Sequence, residues 1–197
     1  MTLTSRSGTA PLSPTLARGP CARNLKVRPI QIPRASPRRI VVLGCAGSGK
    51  TSLAQQIGEK TGLPVICLDE MSRQLCSRGD LSSFRSALDE AHAKEDWISE
   101  GNFAQVSFDI RLPRAELIIW LELPRILCAW RACRRVFRQA EPHKLRDLPA
   151  VLAFIWRFDR VNRTLIEVAR LTNGAEVPVM YLKSGREITG FLQSLGT

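Results

Sequence analysis

The chain has 197 residues, is 44% apolar and carries a net charge of +11. That length suits one domain of roughly 150 residues with an appended segment, and that apolar share suffices for a packed core. No apolar run reaches the ~18 residues of a membrane span, no Cys-x-x-Cys pair offers structural zinc ligands, and no apolar h-region of about 7–15 residues marks a secretory signal.

Residues 1–38 contain seven basic residues and no acidic one, which leaves 22 basic and 18 acidic residues for the remainder. This segment is rich in Pro, Ser, Thr and Arg and has no periodic apolar face, so it reads as a disordered basic tail. Three explanations stay open: an organellar transit peptide, a basic nucleic-acid arm, or an upstream start codon wrongly chosen. The last is favoured, because the body begins cleanly at Arg39.

From Arg39 onward, apolar runs alternate with helical patterns. The reading gives a strand at 39–43, a helix at 50–61 and a strand at 64–68. A polar stretch follows over 71–80, then a helix at 81–94 and a short strand at 97–99. A fourth strand spans 117–121 and a helix about 124–138. A polar connector leads to one long helix from Asp147 to about Leu171, then a strand at 177–182 and a helix at about 186–195. Strands alternating with helices predict an α/β fold with a parallel sheet covered on both faces. Trp97, Trp120, Trp130 and Trp156 fall inside apolar patterns and read as core, whereas His92 and His143 read as surface residues. The six cysteines are scattered, one of them at position 45, and fit a reducing cytoplasm.

Gly44-Cys45-Ala46-Gly47-Ser48-Gly49-Lys50-Thr51 fits G-x-x-x-x-G-K-[ST]. Glycines let the backbone turn its N–H groups inward as an anion nest, and the following helix adds its positive end. Lys50 supplies charge for the β- and γ-phosphates, and Thr51 a hydroxyl for Mg²⁺. In a parallel sheet the ligand crevice lies at the carboxyl ends of the strands, where Asp69-Glu70, Glu100 and Glu122 stand. Arg131, Arg134, Arg135 and Arg138 share one broad helix face. Arg157, Arg160 and Arg163 follow at three-residue spacing on the next helix. Arginine suits phosphoryl transfer because its planar fork stabilises charge on the equatorial oxygens.

On GCAGSGKT, the Leu68-Asp69 strand end, Trp97-Ile98-Ser99-Glu100-Gly101-Asn102-Phe103 and Asp109-Ile110-Arg111-Leu112-Pro113-Arg114-Ala115, residues 39–195 resemble a known group. It is the small P-loop kinases related to adenylate kinase, and within them the DNA topology-modulation proteins. The resemblance implies a three-layer P-loop NTPase fold: a five-stranded parallel sheet, helices on both faces and an Arg-rich helical lid. It implies ATP on Gly44, Cys45, Ala46, Gly47, Ser48, Gly49, Lys50, Thr51 and Ser52. Thr51, Asp69 and Glu100 would form the Mg²⁺ set, with Glu100 acting through water and preferred to Glu122. Lys50, Asp69, Glu100, Arg131, Arg135 and Arg157 would form the catalytic set. The family usually has Asp where this chain has Glu100, and segment 71–80 lacks the family's Trp- and Pro-containing motif. The function expected is phosphoryl transfer from ATP to a small acceptor such as a nucleotide or nucleoside. A nucleic-acid-binding regulator and a partner-coupled NTPase are the alternatives.

Overall fold

Central strands with two apolar faces decide the architecture. The structure is a computed structural model and describes residues 37–75, 81–139 and 142–195. Most of the tail, and the predicted polar residues 76–80, lie outside the described residues. Arg38 is tied to the body: its N–H donates to Glu116 Oε2 at 2.7 Å and its guanidinium pairs with Asp96.

Five strands form one sheet: β1 (Arg39–Gly44), β2 (Val65–Cys67), β3 (Trp97–Glu100), β4 (Leu117–Leu121) and β5 (Val179–Leu182). All pairings are parallel and the order is β2-β3-β1-β4-β5. The chain winds to one side of β1 and then crosses to the other, so β1 sits at the switch point where such sheets open a crevice. The helices are α1 (Lys50–Thr61), α2 (Leu68–Leu75), α3 (Leu81–His92), α4 (Ala104–Arg111), α5 (Arg125–Gln139), α6 (Pro142–Arg157), α7 (Asn162–Gly174) and α8 (Gly185–Ser194).

Successive strand residues feed opposite layers, as the pleat requires. Val41, Leu43, Ile118 and Trp120 pack with Phe108, Cys128, Ile155 and Ile166 on one side. Ile40, Val42, Ile119 and Leu121 pack with Leu53, Ile57, Phe191 and Leu192 on the other. The expected five-stranded parallel fold with helices on both faces is the one observed.

Several local expectations are overturned. Segment 68–75 is helix α2, so Asp69 and Glu70 sit in its first turn. Helix α4 was not anticipated between β3 and β4. It buries Ser107, Phe108 and Arg111, the arginine standing four and three residues after the other two. The single long helix at 147–171 is two helices, because α6 starts earlier, at Pro142, and the chain bends at 158–161. No Gly or Pro marks that bend. Buried Phe158 and the pairing of Asp159 with Arg125 at 2.5 Å fix it instead. Consequently Arg157, Arg160 and Arg163 do not share one helix face.

Trp97 and Trp120 are core, but Trp130 and Trp156 are exposed. His92 is buried, not superficial. Its Nδ1 lies 2.7 Å from the Leu88 carbonyl and its Nε2 2.9 Å from Ser99 Oγ. A carbonyl only accepts, so Nδ1 carries the proton and Nε2 accepts from the serine. Arg111 donates to the same Ser99 oxygen at 3.2 Å. Burial, with the Arg111 and Arg114 charges adding to it, lowers the His92 pKa to about 4.

Two stability predictions follow from this packing. In the unfolded chain His92 regains its ordinary pKa of 6.5, so between that and about 4 the unfolded state binds the extra proton. Stability therefore falls as pH drops through this window, by up to roughly 3 kcal/mol, and His92→Gln flattens the slope in urea titrations. A Cβ at Gly58 would meet Val65 Cγ2 at 2.8 Å and the Leu63 carbonyl at 3.0 Å, whereas one at Gly190 meets nothing within 4 Å. Gly190→Ala should stabilise by about 0.5–1 kcal/mol through helix propensity, while Gly58→Ala should lower the urea midpoint.

Candidate active site

The β1–α1 turn is a loop whose backbone has no side-chain cap at the start of α1; Gly49 occupies the N-cap position with φ 96°. The first amides of α1 are thus left for a ligand, with the helix dipole behind them. Gly47 has φ 76°, and a Cβ there would lie 2.2 Å from the Cys128 carbonyl oxygen. Only glycine lets the loop rest directly on the backbone of α5. Ser48 and Cys45 close the turn through a 3.2 Å backbone hydrogen bond.

The far strand grips this loop. Register pairs Val42 with Glu100. Two residues on, the Asn102 amide donates to the Gly44 carbonyl at 2.9 Å and accepts from the Gly44 N–H at 3.2 Å. Arg111, fully buried, donates to the carbonyls of Gly101 at 2.9 Å and Asn102 at 2.8 Å, which holds that turn from behind. Burial pulls the Arg111 guanidinium down to about 9, against the raising charge of Glu100, so it stays cationic at neutral pH.

Glu100 is buried at the end of β3. Its Oε1 accepts from the Thr51 hydroxyl at 3.1 Å and from the Cys67 thiol at 2.8 Å. Burial and that hydrogen bond raise the Cys67 pKa to about 11, so the thiol keeps its proton. Glu100 Oε2 is buried with no hydrogen-bond partner. An orphaned carboxylate oxygen beside a threonine hydroxyl is a set of hard oxygen donors that suits Mg²⁺. Lys50 Nζ donates to the Cys45 carbonyl at 3.1 Å. Burial lowers its pKa, while Glu100 and Asp69 pull it back up.

A cavity of about 910 Å³ opens above these groups. It brings together Ala46, Gly47, Gly49, Lys50, Thr51, Ser52, Asp69, Arg131 and Arg135 from the expected set. Arg131 Nη1 donates to the Ser48 carbonyl at 3.2 Å, which binds the arginine helix to the loop. Gly44, Ser48 and Glu100 are buried just beneath. Cys45 faces the other way: its thiol meets Cys128, and it lines a second depression of about 490 Å³ beside Glu122 and Arg163. Contact with Cys128 and burial keep Cys45 protonated. Glu122 pairs with Arg163 and Lys183 and does not line the first cavity. Arg157 is exposed and lines neither cavity.

Asn102, Phe103 and Arg111 belong to the site, yet the sequence showed them only as parts of a motif. For Arg111 a signal existed, since it recurs with Ser107, Phe108 and Leu112 on one apolar helical face. Phe103 has φ 30° and ψ 40° and is the only non-glycine with positive φ among the described residues. A bulky side chain held there costs about 1–3 kcal/mol, and such strain collects at functional sites.

Gly47→Ala should weaken nucleotide triphosphate binding by about 100-fold or more, as the added methyl must lift the loop off α5. Asn102→Ala should weaken it about ten-fold by freeing one end of the loop. Calorimetric titration with Mg²⁺ and a non-hydrolysable ATP analogue reads both effects.

No protein-family model matches the chain, and no curated protein matches it. Solved structures do. A shikimate kinase from Bacteroides thetaiotaomicron is 19% identical with a TM-score of 0.53, and the match covers 81% of this chain and 97% of that one. A shikimate kinase from Acinetobacter baumannii, solved in complex with shikimate, is 16% identical with a TM-score of 0.50, covering 80% and 90%. At such identities the likeness speaks for the fold alone: the five-stranded parallel sheet with its helices is the fold of these two solved structures.

Proposed function

We propose that this chain is an ATP-dependent phosphotransferase that moves the γ-phosphoryl group to a hydroxyl of a small acceptor. One observation carries the reading: Lys50, Thr51 and Asp69 meet in a single cavity whose floor holds the half-satisfied carboxylate of Glu100. The loop amides and Lys50 would bind the β- and γ-phosphates, Lys50 exchanging the Cys45 carbonyl for phosphate oxygens. Arg131 and Arg135 would neutralise charge on the migrating group. Thr51 and Glu100 would hold Mg²⁺, with Asp69 in its outer shell; the ion supplies charge neutralisation at the phosphates. Asp69 would also take the proton of the acceptor hydroxyl. The hydroxyl oxygen forms the new bond to the γ-phosphorus as the bond to the β–γ bridging oxygen breaks, and ADP leaves with that electron pair.

Kinship with the DNA topology-modulation group is part of this proposal and rests on segments Trp97–Phe103 and Asp109–Ala115. So is the division into a basic tail, 1–38, and a catalytic body, 39–197. No helix among the described residues is long and apolar enough to cross a membrane. Cys45, Cys67, Cys128 and Cys133 are free thiols, which supports placement in a reducing cytoplasm. Arg157, remote from the cavity, would reach phosphates only after movement of the end of α6.

Lys50→Met should cut acceptor-dependent ADP release by about 100-fold or more while leaving the circular dichroism spectrum unchanged. Glu100→Gln should raise the Mg²⁺ concentration needed for half-maximal rate. A Lys50→Met protein with undiminished turnover would refute the assignment.

A further inference from the structure

Glu100 has a neighbour on β2. The parallel register pairs Cys67 with Glu100, so both side chains leave the sheet on the same face, side by side. The Cys67 thiol donates to Glu100 Oε1 at 2.8 Å, and the Thr51 hydroxyl donates to the same oxygen at 3.1 Å. Oε2 is buried and has no hydrogen-bond partner among the described residues. The carboxylate is thus divided: one oxygen is held by two donors and the other by none. A cysteine at a strand end is ordinarily a small packing group. Cys45 and Cys128 behave so, but Cys67 joins none of the three apolar clusters of the described residues.

The two donors differ in what a cation does to them. Thr51 carries a hard oxygen and is itself a candidate ligand for Mg²⁺, so its hydroxyl must turn to serve the ion. Sulfur is soft, and a hard cation passes it over for oxygen. The thiol therefore keeps its grip on Oε1 as the ion enters. A glutamate side chain is long, and an untied one would spread its carboxylate over several rotamers at the end of β3. With Oε1 tied, Oε2 is the oxygen left to face the ion. We propose that Cys67 is a positioning residue for the metal site: its thiol ties down Glu100 Oε1 so that Oε2 is presented to Mg²⁺. This rests on the phosphotransferase reading above, and adds to it a residue that touches neither ion nor nucleotide.

The test is calorimetry on the full chain with a non-hydrolysable ATP analogue, without Mg²⁺ and at a series of Mg²⁺ concentrations. Cys67→Ala should raise about ten-fold the Mg²⁺ concentration that gives half of the full gain in analogue affinity, a modest loss for an outer partner of a metal ligand because a thiol is a weak donor. Without Mg²⁺, its affinity for the analogue should stay within about two-fold of wild type, since the thiol acts only through the metal ligand. Cys67→Ser keeps a donor at the same place and should restore the Mg²⁺ dependence. In a Glu100→Gln background, Cys67→Ala should add less than about two-fold, because both changes act on one side chain. Unchanged Mg²⁺ dependence in Cys67→Ala overturns the inference. So does a Cys67→Ser chain that behaves like the alanine variant, additive losses in the Glu100→Gln background, or wild-type binding that ignores Mg²⁺. An equal loss without Mg²⁺ overturns it too, because it marks a merely structural role. All of these leave nucleotide binding by the loop standing, whereas a wild type that takes no analogue with Mg²⁺ refutes this inference and the phosphotransferase reading together.

Discussion

Everything at the crevice depends on how the edge of β3 is locked to the end of β1. The pairing of Val42 with Glu100 sets the height of both chains, and the two-way hydrogen bond between Asn102 and Gly44 then fixes where the phosphate loop departs. A glycine-rich loop has little rigidity of its own, because glycine leaves the backbone with the widest choice of conformations. Its shape is therefore borrowed from outside: from Asn102 at its entry, from the Cys128 carbonyl under Gly47, and from Arg131 at Ser48.

Beneath that clamp runs a column of buried polar groups. Arg111 donates to Ser99, Gly101 and Asn102, Ser99 in turn donates to His92, and His92 donates to the Leu88 carbonyl. Buried charge is costly unless each donor and acceptor is matched. Here almost every one is. The column thus joins α3, β3 and α4 through directional contacts, where apolar packing alone would let them slide. Arg111 also places a positive charge near Glu100, so the buried carboxylate is tolerated without a partner on its second oxygen.

Much of this was written in short-range patterns. The strand–loop–helix order around Gly44–Thr51 and the apolar runs of β1 and β4 specify a parallel sheet with a phosphate loop. They do so because a strand buried on both faces must be apolar along its length. What escaped was decided at long range. His92 looks like any helix-end histidine until Ser99 arrives from β3. Trp130 and Trp156 sit in apolar company along the chain, yet α5 and α6 turn them outward. The bend at Phe158 contains no breaker; what accompanies it is long-range, the burial of Phe158 and the pairing of Asp159 with Arg125 across 34 residues. Helix α4 was hidden because two of the three residues it turns to the core, Ser107 and Arg111, are polar and leave no apolar periodicity to read. Within the candidate site, the Gly44–Thr51 loop was visible because its pattern is local. The apolar part of the cavity draws on α3, α4, α6 and α7, and only the folded chain assembles it.

The seat of Gly47 on the Cys128 carbonyl has a mechanical consequence. With no side chain between them, the Gly44–Thr51 loop cannot shift toward α5 without meeting the helix backbone. A displacement of either is therefore passed to the other at this contact and at the Arg131–Ser48 hydrogen bond, about one helical turn further on.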